Sequence, residues 1–264
     1  MKELGILFGV LLVFSFHNAY ASDEIFITIS DTMDQVIFDG KWSFNNQYNT
    51  EWKLSSADQI GGDENDIVLR SAHQDDFVYF LIDYVSDVSP DAGYDKATMC
   101  FDTQNNKNEI PDADDYCFIA VFSLNEGHTL NGGNIIPMKS YMKKIPNHKD
   151  FVGVSGVSDE KDRYSSIPHL SYEFKIPTEV IGRSNVYGFY INVYDFNSDT
   201  NTTWPKDIEI ENQNQIPSPS KWGELISPDR TLPEFSFSFF FVILILGVAT
   251  IYAVTKPKFN FKNF

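Results

Sequence analysis

Between residues 22 and 230 the chain alternates short apolar runs with clusters of Asn, Asp, Gly, Pro and Ser. Strand-length runs rich in β-branched and aromatic residues, set apart by turn formers, predict strands of an antiparallel sandwich. They fall near 24–29, 67–73, 77–84, 97–101, 116–122, 151–157, 170–176, 186–194 and 222–226. The run 77–84 is apolar on both alternating faces apart from Asp83, which predicts a central strand covered on each side. Pro177 and Gly182 bracket one expected helical turn, and no long amphipathic helix is visible before residue 230. Residues 197–221, rich in Asn, Asp, Thr, Pro and Ser, read as an extended loop. The expected fold class is all-β, an antiparallel β-sandwich spanning 22–227 as one domain.

The two ends break this pattern. Lys2 is followed by an apolar run from Leu4 to Phe16 and by small residues at Ala19 and Ala21, the layout of an export signal cleaved after Ala21. From Phe235 to Val254 no charge occurs, and 20 residues at ~1.5 Å each match the ~30 Å hydrocarbon core of a bilayer. A transmembrane helix is expected over 235–255, after a stalk at 228–234. Lys256, Lys258 and Lys262 then form a basic tail at 256–264 that faces the cytoplasm by the positive-inside rule. The expected location is a single-pass cell membrane protein with its N-terminal domain extracellular.

Charge sharpens that picture. Residues 22–234 hold 36 acidic and 16 basic side chains, whereas the tail holds only lysines. An ectodomain so acidic repels phosphate backbones, which argues against nucleic acid as a partner and leaves divalent cations and neutral sugars open. The only cysteines, Cys100 and Cys117, lie in two strand-like segments joined by a polar loop. An oxidising exterior permits a disulfide between them, the alternative being two buried thiols packed as small apolar groups.

Four segments carry a resemblance: Phe38-Asp39-Gly40-Lys41-Trp42, the run from Phe101-Asp102 to Asp114-Asp115-Tyr116, Leu170 to Pro177, and Trp222-Gly223. In this order they resemble the superfamily of family 9 carbohydrate-binding modules, which also includes haem-binding DOMON domains. The resemblance covers about 24–227 and implies a jelly-roll-like sandwich. It places Trp42 and Trp222 in the scaffold. At the other end, Pro233-Glu234-Phe235 before the hydrophobic helix resembles the PEF-type C-terminal sorting signals of archaeal surface proteins. That likeness implies a sortase-like processing enzyme as partner, although Ser236 stands where one common version has Gly.

Candidate chemistry clusters in few places. Asp102, Asn106, Asn108, Asp112, Asp114 and Asp115 offer hard oxygen ligands within one loop, as Ca2+ requires. The related loops often read Asp-x-Asp-x-Asp-Gly, and here Gln104, Asn106 and Lys107 depart from that pattern; the plainer reading is a solvated hairpin tip. Sugar binding needs exposed rings, and Trp204 in a polar stretch is either a ligand platform or a loop anchor. Trp52 follows another polar stretch and is the second candidate, with a structural role as its rival. Non-covalent haem is the less favoured cofactor, through Met138 or Met142 with His128 and His148 nearby. No nucleophile elbow, zinc-protease motif or nucleotide-binding loop occurs, so no enzymatic activity and no catalytic residue is expected.

The sequence therefore reads as a surface-anchored binding module for carbohydrate or cell-envelope glycan. Its alternatives are a haem-carrying electron-transfer domain and a structural component of the envelope. N-terminal sequencing of the exported chain, recovered from the membrane fraction, is expected to begin at Ser22. A soluble product that still starts at Met1 would contradict the assignment of both ends.

Overall fold

The computed structural model describes residues 23–42, 52, 55–61, 66–124, 126–133, 142–206 and 208–227. The expected signal peptide, the stalk, Pro233, Glu234 and Phe235, the membrane helix, the basic tail and Met138 lie outside the described residues. Among the described residues no helix is long and apolar enough to cross a membrane.

Two sheets face each other. One joins β1 (Glu24–Phe26), β14 (Gly223–Ile226), β12 (Val186–Asp195), β6 (Lys96–Asp102), β7 (Asp115–Val121), β8 (His128–Asn131) and β9 (Lys143–Ile145) in that order, and β13 (Thr200–Trp204) also pairs with β12. The other runs β10 (Val152–Val157), β11 (Leu170–Pro177), β5 (Phe77–Tyr84), β4 (Ile67–Gln74) and β2 (Thr28–Ile29), with β3 (Ser56–Ile60) also on β4. A single helical turn, α1 (Thr178–Ile181), ends at Gly182 as expected. The expected strand at 24–29 is divided, because the chain crosses from one sheet to the other at Ile27. Its two halves pair parallel, β1 with β14 and β2 with β4, so the sandwich is not antiparallel throughout.

Period-two alternation sorts the side chains into layers. Ala97, Met99 and Phe101 of β6, Tyr187, Phe189, Ile191 and Val193 of β12, and Val78, Phe80, Ile82 and Tyr84 of β5 fill the space between the sheets. The opposite faces are also apolar. Tyr79 and Leu81 of β5 lie under Met33, Val36, Trp42 and Trp52, while Cys100, Cys117 and Tyr190 lie under Trp222 and Met142, flanked by Ile208, Ile210 and Ile216. This doubly covered β5 is what its apolar run, interrupted only by Asp83, predicts. Cys100 and Cys117 stand directly opposite in the β6 and β7 register and are joined as a disulfide across 17 residues, worth about 3 kcal/mol in the chain-entropy description.

The cover over the six-stranded sheet is held by a buried acid. Glu173 of β11 is 0% exposed and accepts the Gly40 amide at 2.7 Å and the Trp52 indole N–H at 3.1 Å. The Ser171 hydroxyl donates to the Gly40 carbonyl at 2.8 Å. Gly40 has φ +81°, and a Cβ there would sit 2.0 Å from the Ser155 carbonyl carbon. Only glycine lets this turn lie flat on β10 and β11. Burial, then the nearby Asp39 charge, pushes the Glu173 carboxyl up to about 8, against the backbone and indole hydrogen bonds that favour its charged form.

Two outcomes follow. Gly40→Ala is expected to cost ~3 kcal/mol or more in urea denaturation, whereas Gly93→Ala, at φ +83° with nothing within 4 Å, should cost only the ~1–2 kcal/mol of backbone strain. Equal losses would contradict the packing account. Between pH 4.5 and about 8, folded Glu173 keeps a proton that the unfolded chain has released, so its contribution is full at low pH and declines as pH rises, by at most ~1.4 kcal/mol per unit. Glu173→Gln should flatten the slope of stability against pH by that one proton, and identical slopes in both proteins would refute the assignment.

Candidate functional site

The structure gathers all six residues of the expected cation loop. Asp102 ends β6 and Asp115 begins β7, both 0% exposed, and carboxylate oxygens of Asp102, Asp114 and Asp115 lie within 4.8 Å of one another. Asp102 accepts the amides of Asn106 at 3.1 Å and Lys107 at 2.8 Å. The Asn106 side-chain amide bridges Asp112 and Asp114 at 3.3 and 3.4 Å, and the Asn108 amide donates to Asp112 at 2.5 Å. Burial raises Asp115 to about 7 and Asp114 to about 6, with the neighbouring carboxylates adding to both. Asp112 is held low by its hydrogen bonds, that from Asp114 first. One Asp115 oxygen is buried without a partner. The oxygen-only donor set fits a hard divalent ion.

Lys107, standing where the related loops carry glycine, adopts the left-handed φ of +54°. Its ammonium reaches across to the carbonyls of Trp222 at 2.5 Å and Gly223 at 2.7 Å. The departure from the pattern thus ties the loop to β14.

Neither tryptophan assigned to ligand binding presents a face. Trp204 is 7% exposed within the core, 5.8 Å from Phe189, because residues 200–204 form β13 rather than loop. Trp52 is 1% exposed beneath the cover and spends its N–H on Glu173. A ring closed on both sides cannot stack on a pyranose, so both are scaffold. Trp42 and Trp222 are buried in the two outer clusters. Of the haem candidates, Met142 is buried beside the disulfide cluster, His128 meets the Lys144 ammonium at 3.0 Å and His148 meets Glu179 at 3.2 Å.

Sequence reasoning missed the exposed rings. Tyr94 and Phe196 are 56% and 42% exposed and stack with centroids 4.4 Å apart at 23°. Tyr94 lies on the turn leading into β6, where its amide donates to the Asp91 carbonyl. Phe196 follows β12 on a turn whose Asn197, Ser198 and Asp199 are all exposed. The pair therefore forms an open apolar step at one end of the sandwich, rimmed by amide, hydroxyl and carboxylate. Phe196 sits in the same polar setting that drew attention to Trp204, which was the available signal. A cleft of about 400 Å³ lined by Asp76, His148, Asp150, Glu179 and Arg183 lacks such a step, since its one phenyl ring, Phe77, lies under the Lys175 ammonium at 3.9 Å.

One buried trio has the residue types of a hydrolase without its access. His169 bridges Asp83 at 2.6 Å and Ser158 at 2.9 Å, but the three are 0%, 0% and 4% exposed. The Ser158 hydroxyl also accepts the His169 amide, which makes it a lock between β10 and β11.

No protein-family model and no curated protein sequence matches the chain. Among solved structures, the chain is similar to a family 9 carbohydrate-binding module from Caldicellulosiruptor kristjanssonii in complex with cellotriose, at TM-score 0.46 and 13% identity, covering 77% of this chain and 93% of that one. The module in complex with glucose gives TM-score 0.48 and 12% identity over 77% and 95%.

Proposed function

We propose that this protein is a non-catalytic carbohydrate-binding module held at the cell surface, and that its sugar face is the Tyr94–Phe196 step. The observation that carries the reading is this exposed, stacked aromatic pair bordered by Asp91, Asn197, Ser198 and Asp199. Flat apolar rings receive the C–H face of a pyranose while amides and carboxylates bond its hydroxyls, which is how a shallow site gains specificity. The export signal, the uncharged stretch at 235–254 and the PEF-like motif support surface placement, and the acidic ectodomain disfavours anionic polymers as ligands. The loop containing Asp102, Asp114 and Asp115 is read as a structural Ca2+ site that fixes the opposite end of β6.

Cellotriose and glucose are the natural first probes, followed by a glycan array. Calorimetry on the purified chain is expected to show binding that Phe196→Ala weakens at least tenfold, with Tyr94→Ala similar. Trp204→Phe should leave affinity within twofold. Binding that survives both ring deletions, or binding to no polysaccharide at all, would overturn the reading.

A further inference from the structure

A second acidic cluster lies at the other end of β6. Asp87 follows β5 in the six-stranded sheet, while Asp95 precedes β6 and Asp195 ends β12 in the eight-stranded sheet. They are 1%, 0% and 7% exposed, yet each brings a carboxylate oxygen within 4.8 Å of the other two. Among the described residues no lysine, arginine or histidine pairs with any of them. Three like charges withdrawn from water repel one another strongly unless protons or a cation neutralise them.

The surroundings orient this trio without neutralising it. Asp87 accepts the Ser89 amide at 3.1 Å, and Asp95 accepts the amides of Phe196 at 2.9 Å and of Asp91. Asp195 accepts the amides of Asn197 at 2.8 Å and Ser198 at 3.2 Å and the Ser198 hydroxyl at 2.7 Å. Each bond leaves lone pairs free on the same oxygens. A separate observation marks the enclosed space. The second oxygen of Asp87 is buried with no partner, and so is the hydroxyl of Tyr172, a 0% exposed residue reaching from β11. Tyr172 lies in the core between the two sheets that Asp87, Asp95 and Asp195 bridge.

We infer that Asp87, Asp95 and Asp195 form a binding site for a hard divalent cation of the Ca2+ class. The site offers only oxygen donors, which excludes a preference for zinc. Three convergent carboxylates strip the ion of much of its water, which Ca2+ accepts and Mg2+ resists. Because Asp87 comes from one sheet and the other two from its partner, a bound ion cross-links the sandwich. It also steadies the exposed rings, since Tyr94 adjoins Asp95 and the Phe196 amide bonds to it. The site stands on its own geometry and does not depend on sugar binding.

The test uses the full chain stripped with EDTA and then titrated with Ca2+ or Mg2+ alone. Ca2+ is expected to raise the urea midpoint, with Mg2+ at equal concentration giving less than half the shift. Asp87→Asn should be at least as stable as wild type in EDTA, because one repelling charge is gone, while calorimetry finds one fewer Ca2+ bound. Asp114→Asn perturbs the other acidic loop and must leave this equivalent in place. Tyr172→Phe, which removes only an unpartnered hydroxyl, should lower Tb3+ emission excited through tyrosine by at least half, and it serves if the Asp87 variant does not fold. The inference falls if millimolar Ca2+ leaves wild type unchanged, if Asp87→Asn binds as many ions as wild type, or if it loses equal stability with and without Ca2+. Unchanged Tb3+ emission from Tyr172→Phe would also count against it.

Discussion

The structure depends on one constraint: the central strands are apolar on both faces. Tyr79 and Leu81 of β5, or Cys100 and Tyr190 across β6 and β12, would meet water if the sandwich were bare. At about 25 cal/mol per Å² of apolar surface, leaving such rings open is costly, so each sheet needs an outer covering as well as a partner. Irregular segments supply it, residues 33–42 with Trp52 on one side and residues 208–222 with Met142 on the other. A covering made of loop has no ladder of its own, and its polar backbone must be bonded where it lands. That is the role of Glu173 and Ser171 against Gly40, and of the Lys107 ammonium against the carbonyls of Trp222 and Gly223.

Those bonds also give physical meaning to the four motif segments. They are far apart in sequence, yet Phe38 to Trp42 lies on the strand that contains Glu173, and the acidic loop is pinned to Trp222-Gly223. The residues that carry the family resemblance are therefore two docking contacts, each formed by a pair of segments. Both contacts fasten cover to sheet, which is why the motifs speak to scaffold before they speak to chemistry.

Strands with a full apolar face were legible from the sequence. Those at 67–74, 77–84, 96–102, 170–177 and 186–195 differ from expectation by a residue or so at their ends. The segments Ser56–Ile60, His128–Asn131, Lys143–Ile145 and Thr200–Trp204 were not, because their side chains are largely polar and ladder hydrogen bonds place them. Trp204 looked isolated for the same reason: its neighbours Thr202 and Thr203 are polar in type but 7% and 6% exposed in fact. The convergence of Asp102 with Asp114 and Asp115 was legible because a hairpin keeps those residues close in sequence. The meeting of Asp87, Asp95 and Asp195 was not, since it needs both sheets in place.

The path of the first strand has a consequence for how the molecule is made. Glu24–Phe26 finds its partner only in Gly223–Ile226, with Glu24 opposite Glu224 two hundred positions later, while Thr28–Ile29 already belongs to the facing sheet. A polypeptide emerging from its N-terminus must hold this segment unpaired until nearly everything else has been synthesised. The seam between beginning and end then closes last, and until that moment one margin of the eight-stranded sheet offers unsatisfied amides to any neighbouring molecule.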